Sequence, residues 1–266
     1  MSDKPIIIIT GASSGIGEAS ARLFASRGYR LSLAARRFER LKSLADEIQQ
    51  RGGEALPVTT DVSNLDEIHN LVEVTLDRFG QIDVLVNNAG FGRLNWLEEL
   101  NPSEDIEAQV KVNVLAVVQM TRAVLPHMIA RRSGHVINMA SLASFIATPT
   151  YSVYAACKFA VRGFTESLRR EVGVHGIKVT GIYPGAVNTE FTQHTGSKRK
   201  TGIGTPKALR MDAEHVARAV LSAVQRPRRS IILPWYMRFA ILANALFPGV
   251  VDRIIEARFV KPEREL

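Results

Sequence analysis

Tyr154 and Lys158 stand four residues apart in the stretch YAACK, with only small residues between them. Within a helix that spacing stacks both side chains on one face. A phenol alone titrates near about 10, too high for efficient proton transfer at neutral pH. An ammonium group beside it favours the phenolate and lowers that value. The pair is therefore a candidate acid/base couple for a reaction in which negative charge develops on oxygen. Ser141, thirteen residues upstream, offers a second hydrogen bond to the same oxygen. Isolated, a Tyr–Lys pair at this spacing is the better match to chance, so its surroundings must decide.

A second stretch with chemical content is TGASSGIG, Thr10 to Gly17, directly after the apolar run PIIIIT. Glycines permit positive φ and close approach of the backbone to a pyrophosphate. The helix that follows offers free N–H groups and a positive dipole end to the same group. In this strand–turn–helix setting the spacing of Gly11, Gly15 and Gly17 predicts a dinucleotide cradle made with Ser13, Ser14 and Ile16. The second strand ends at Ala35 and continues into Arg36 and Arg37. A carboxylate there would hold a ribose 2′-hydroxyl and repel a 2′-phosphate, whereas a guanidinium binds the phosphate. The expected cofactor is NADP (NADPH). Asp61 and Val62, closing the third strand, are placed to meet the adenine edge, and serve equally well as a helix N-cap region.

The elements that would position these residues alternate along the chain. Strands are expected at 5–10, 29–35, 54–62, 81–90, 135–141, 177–185 and 228–234. Helices are expected at 14–28, 37–53, 64–80, 103–125, 151–174 and 213–225. The alternation predicts an α/β fold, a doubly wound parallel seven-stranded Rossmann sheet, with ligands beyond the carboxyl ends of the strands. Residues 1–234 form the dinucleotide-binding and catalytic domain, and 235–266 a helical C-terminal extension of the same domain. The polar, glycine-bearing segment 186–210 is expected to form a lid.

Composition narrows the function. The 266 residues are 46% hydrophobic and 23% charged, the range of a globular chain with a sizeable core. The net charge of +8 is spread along the chain, with no nucleic-acid-binding signature, so no nucleic-acid partner is expected. One cysteine, Cys157, and six scattered histidines supply neither a disulfide framework nor metal-ligand spacing. No metal is expected, and Cys157 is read as a packed small hydrophobe. With no signal-like N-terminus and no run of about 18 apolar residues, the expected location is the cytoplasm.

Asn87-Asn88-Ala89-Gly90 (NNAG) ends the fourth strand, Asn113 lies on the next helix, and Tyr183-Pro184-Gly185 (YPG) ends the sixth. Together with TGxxxGIG, Ser141, Tyr154 and Lys158, these motifs resemble the short-chain dehydrogenase/reductase family over about residues 5–233. The resemblance implies that Tyr154 is the acid/base, Lys158 its partner and Ser141 the hydroxyl that polarises a carbonyl. It implies that Asn113 holds a water in a proton relay to Lys158. It further implies that Asn88, Ala89 and Gly90 line the cofactor, that Pro184 and Gly185 turn at the nicotinamide face, and that Val187 and Thr189 reach the carboxamide. A homodimer or homotetramer is implied by the same resemblance.

The expected reaction is hydride transfer between NADP(H) and a hydrophobic ketone, aldehyde or secondary alcohol, in a pocket walled by Phe91, Trp96, Phe145 and Phe191. Tyr151 is read as packing or pocket lining. A catalytically silent cofactor-binding scaffold is the alternative from another class, and the intact Asn113, Ser141, Tyr154 and Lys158 argue against it. For the apolar tail from 235 to 260, three roles are open: a pocket cap, a subunit contact, or a basic amphipathic segment on a membrane surface.

Overall fold

A computed structural model describes residues 4–193, 195 and 210–264. Its centre is a seven-stranded sheet built from β1 (Ile6–Thr10), β2 (Arg30–Ala35), β3 (Glu54–Thr59), β4 (Val84–Asn87), β5 (Gly134–Met139), β6 (Ile177–Pro184) and a last strand at Ser230–Leu233. Every pairing in it is parallel. Two short strands, β7 (Val187–Asn188) and β8 (Met211–Asp212), pair with each other and bring the two ends of the 189–210 excursion together. The last strand of the sheet is therefore β9.

The strand order is β3-β2-β1-β4-β5-β6-β9. The chain leaves β1 in one direction through β2 and β3, then returns to β1's other side with β4. That reversal opens a crevice at the carboxyl ends of β1 and β4, where an open α/β sheet binds its ligand.

Alternation along β1 shows why both faces are covered. Ile7 and Ile9 point into one core with Phe24 of α1 (Gly15–Ser26) and Leu41 and Leu44 of α2 (Phe38–Gln50). Ile8 points into the other, with Ile68 and Leu71 of α3 (Leu65–Phe79). The same second core takes Met120, Val124 and Met128 of α4 (Pro102–Arg131) and Leu168 of α5 (Ser152–Val172). Helix α6 (Ala213–Gln225) returns Val216 and Val220 to the first core. A strand buried on both faces must be apolar throughout, as IIIIT is.

Three boundaries differ from the sequence expectation. β4 covers only Val84–Asn87, because Asn88 to Gly90 leave the ladder to meet the glycine turn. α4 runs past Pro126 to Arg131. Pro126 and Arg122 are both exposed, so water reaches the carbonyl that loses its donor, and buried Met128 holds the following turn. α4 also contains two π segments, Pro102–Glu107 and Lys111–Leu115. By length and composition α4 could cross a membrane, but here its apolar side is the floor of the second core. The expected lid lies largely outside the described residues.

Beyond β9 come α7 (Met237–Leu246), α8 (Pro248–Ile255) and a π turn at Glu256–Val260. The last turn is pinned back on the body. Arg264 lies 2.6 Å from Glu98 and stacks 3.7 Å above the Trp96 ring.

Candidate active site

A cavity of about 1680 Å³ opens at the carboxyl ends of the strands. That is larger than the roughly 300–1,000 Å³ of ordinary small-molecule pockets. It has room for a dinucleotide and a second ligand.

One end is the glycine turn. Gly11 and Gly15 have φ of +67° and +58°, where a side chain is strained. A Cβ on Gly11 would stand 2.8 Å from the Ala89 Cα, and one on Gly15 would stand 3.0 Å from the Thr189 methyl. Thr10 Oγ1 accepts from the backbone N–H groups of Asn88 and Ala89, at 3.0 Å each. The Asn88 amide donates back to the Thr10 carbonyl at 2.9 Å. The two loops over the crevice are thus tied together. Gly17 does not line the cavity; it lies beneath the turn, where a Cβ would strike the Gly11 carbonyl oxygen. Ser14, at the N-cap of α1, makes no capping bond, so its side chain leaves the first-turn amides open.

Beside this turn, the Arg37 guanidinium donates to the Ser13 hydroxyl at 3.1 Å and to the Ser14 hydroxyl at 2.7 Å. Its third side donates to Glu190 at 2.8 Å, and Arg40 donates to the same carboxylate at 2.6 Å. Bonds from Arg40 and Arg37 hold the Glu190 carboxyl down at about 2. Arg36 is exposed and also lines the cavity. Asp61 and Val62 line it too, with the Asp61 carboxylate accepting from the Ser63 N–H at 2.9 Å.

At the other end stands the proton-handling group. The buried stripe of α5 is Tyr154, Cys157, Lys158, Val161, Thr165, Leu168 and Val172. Tyr154 and Lys158 therefore belong to the inward face and are only 8% and 6% exposed; they are not a surface pair. Cys157 is buried beside them. Ser141, just past β5, hydrogen-bonds the Tyr154 phenol. Its hydroxyl also accepts from the Ala143 N–H at 3.1 Å. Lys158 Nζ donates to the Met139 carbonyl at 3.1 Å and lies 5.6 Å from the centre of the Tyr154 ring.

The electrostatics depart from the expectation. Burial pushes the Tyr154 phenol well above its ordinary range, and the Ser141 hydrogen bond offsets this only in part. Burial lowers Lys158 to about 8. Desolvation outweighs the lysine's pull because the ammonium is spent on Met139.

Asn113 does not line the cavity. It is fully buried in the Lys111–Leu115 π segment, and its amide donates to the Phe91 carbonyl at 2.7 Å and accepts from the Phe91 N–H at 3.1 Å. It fixes the loop that forms the cavity wall. A Cβ on Gly90 would stand 2.7 Å from Asn113 Oδ1 and 3.7 Å from Lys158 Nζ.

Ala89, Gly90, Pro184, Gly185, Val187 and Thr189 all border the cavity. So do Phe91 and Phe191, the latter 5.6 Å from the Tyr154 ring. Trp96 and Phe145 do not. Trp96 is taken by Arg264, and Phe145 packs on Tyr183 at 4.8 Å under the Arg162 guanidinium. Sequence reasoning missed Glu190 and Gly92. A Cβ on Gly92 would stand 2.9 Å from Phe191 and 3.3 Å from Tyr154; the GFG after NNA is its only trace in the sequence. Among the described residues no group of His, Cys, Asp and Glu could hold a metal ion.

Comparison with known proteins places this geometry. The model of the family described as short chain dehydrogenase matches residues 5–200. An uncharacterised oxidoreductase of Staphylococcus saprophyticus is 38% identical over 239 residues, covering 88% of this chain and 95% of the relative. Another, from Bacillus subtilis, is 34% identical over 94% of this chain and 71% of its own. Among solved structures, a short-chain dehydrogenase/reductase from Burkholderia phymatum in complex with NAD superposes with a TM-score of 0.84. It is 26% identical and covers 93% of this chain and 95% of its own. A Thermococcus sibiricus alcohol dehydrogenase with 5-hydroxy-NADP reaches a TM-score of 0.77 at 33% identity, over 86% of this chain and 96% of that one.

Proposed function

Since this chain belongs to the short-chain dehydrogenase/reductase family and is an oxidoreductase by that membership, we propose that it reduces a hydrophobic ketone or aldehyde, or oxidises the corresponding secondary alcohol, using NADP(H). The observation that carries the reading is one cavity with the glycine turn at one end and Ser141, Tyr154 and Lys158 at the other.

The residues present fit a dinucleotide. Gly11 and Gly15 leave space that a Cβ would fill, and the α1 N-terminus faces a pyrophosphate without a competing side-chain cap. Solved relatives carry both NADPH, as in the Sphingobium yanoikuyae enzyme, and NAD, so the choice of NADP rests on this chain's own residues. Arg37, braced by two serine hydroxyls, presents a cation where a 2′-phosphate needs one, and no acidic residue closes β2.

Bound there, the nicotinamide would supply or accept the hydride. Tyr154 and Ser141 would both hydrogen-bond the substrate oxygen. In reduction the protonated phenol of Tyr154 gives its proton to that oxygen as charge develops, while Ser141 donates a second hydrogen bond. The Lys158 ammonium stabilises the phenolate left behind. Asn113 keeps the Phe91 loop, and with it Gly90, against Lys158; proton resupply through a water at the Asn113 end is part of the proposal. Leu142, Ile146, Tyr151, Phe191, Met237 and Phe259 give the substrate end an apolar wall, which suits a hydrophobic carbonyl rather than a sugar phosphate.

The test is fluorescence titration of NADPH and NADH on the wild type and on Arg37→Ala and Arg36→Ala. The reading expects NADPH to bind more tightly, and Arg37→Ala to weaken NADPH alone by roughly 10–100-fold, the scale of a charged hydrogen bond. An NADH preference in the wild type would overturn the cofactor assignment.

A further inference from the structure

Helix α7 turns an apolar face away from the protein. Trp235, Phe239 and Leu246 are 67%, 66% and 61% exposed, and Leu242 is exposed with them. Their spacings of four, three and four residues put all four on one face. Phe247, at the bend, and Val250 and Ile254 of α8 extend the exposed row. Scattered exposed apolar residues are ordinary, whereas a continuous row marks a contact surface. The opposite side of α7 is seated. Met237 borders the cavity, and the Asn244 amide donates to the Phe145 carbonyl at 3.3 Å. The outward row is therefore the free side of a docked helix.

Charge identifies the occupant. From Arg226 to Val251 the chain carries four arginines (226, 228, 229 and 238) and no acidic residue. All four arginines are exposed. Asp252, the first acid beyond them, falls about 160° around α8 from both Val250 and Ile254. Trp235 and Tyr236, exposed at the start of α7, have the apolar body and polar tip that settle at a lipid–water boundary.

We propose that this face docks on the surface of an anionic bilayer, its apolar row at the headgroup–acyl boundary and its arginines among the lipid phosphates. A second copy of the chain is the competing occupant. A two-fold contact presents the patch to itself, which would gather the arginines of both copies around one rim with no carboxylate from the patch to answer them. Anionic lipid answers them.

The experiment is flotation of the full chain with vesicles of phosphatidylcholine alone or mixed with phosphatidylglycerol. The wild type is expected to float with the mixed vesicles, at least about tenfold more than with phosphatidylcholine alone, and less as salt rises. The variant Phe239→Ser/Leu242→Ser/Leu246→Ser is expected to stay at the bottom while keeping the wild-type thermal midpoint. Should that variant fail to fold, Arg226→Gln/Arg228→Gln/Arg229→Gln replaces it, with the preference for anionic vesicles expected to fall. Absence of flotation with the mixed vesicles, or equal flotation of wild type and folded variants, overturns the proposal. So does a sedimentation dimer that the serine substitutions dissociate without any flotation, which would assign the face to a second copy.

Discussion

The Glu190 carboxylate stands 2.8 Å from the Arg37 guanidinium, and Arg40 holds its other oxygen at 2.6 Å. Arg37 thereby links the Ser13 and Ser14 hydroxyls of the glycine turn to the segment that follows β7. A 2′-phosphate on Arg37 would meet the charge of Glu190 at close range. Glu190→Gln is expected to tighten NADPH binding by roughly 3–10-fold and leave NADH unchanged. Titration of both cofactors on the variant decides it. Weaker NADPH binding would mean that the carboxylate orients Arg37 rather than competing with the phosphate.

Tyr154→Phe removes the proton donor and little volume. kcat/KM for carbonyl reduction should fall by about 10²–10⁴-fold, the usual worth of a positioned acid. NADPH affinity should be retained within about twofold, since the phenol hydroxyl is not needed for the cradle. Steady-state kinetics with a panel of hydrophobic ketones, together with cofactor titration, separates the two. Equal loss of both would point to a structural role.

Lys158 gives the pH dependence. Burial holds it at about 8, below the ordinary lysine value. It is an ammonium below that pH and is neutralised as pH rises through it. Tyr154, pushed up by burial, stays protonated across the same window. kcat/KM for reduction should therefore decline above about pH 8 with a single limb. A profile flat to pH 10 would show that the charge on Lys158 does not limit the reaction.

His135 should shape acid stability. In β5 its Nε2 is 2.9 Å from the Thr180 hydroxyl, and its Nδ1 is buried without a partner. Burial, helped by the nearby Lys178 charge, lowers it to about 4. Between that value and about 6.5 the unfolded chain binds the extra proton, so acidification favours unfolding. About 3 kcal/mol should be lost as pH falls through this window, and none above it. Urea unfolding at pH 7 and pH 4.5 should show the loss in the wild type and a shallower one in His135→Gln.

Much of the architecture was legible because its causes are local. Ile7, Ile8 and Ile9 read as a strand buried on both faces, and that is how they pack. The order of motifs from Gly11 through Lys158 to Gly185 reflects a sheet whose strands deliver them to one edge in turn. Less legible was whatever depends on distant partners. Glu190 meets Arg37 across 153 positions, and no local pattern marks it. Trp96 and Phe145 looked like pocket walls because an aromatic ring serves a wall and a core equally well; Arg264 and Tyr183 took them. The direction of the Tyr154 shift was misread for a related reason. Sequence shows that an ammonium is near, but not that the Met139 carbonyl engages it.

The central place of β1 bears on how the chain is made. Ile6–Thr10 leaves the ribosome first, yet it needs β2 on one side and Val84–Val86 on the other before its backbone is paired. Until some eighty residues have been synthesised, the nascent chain carries an open edge of four consecutive isoleucines, the composition most prone to pair with another copy. Yield of soluble protein should then depend on translation speed and chaperone supply more than on the stability of the finished fold.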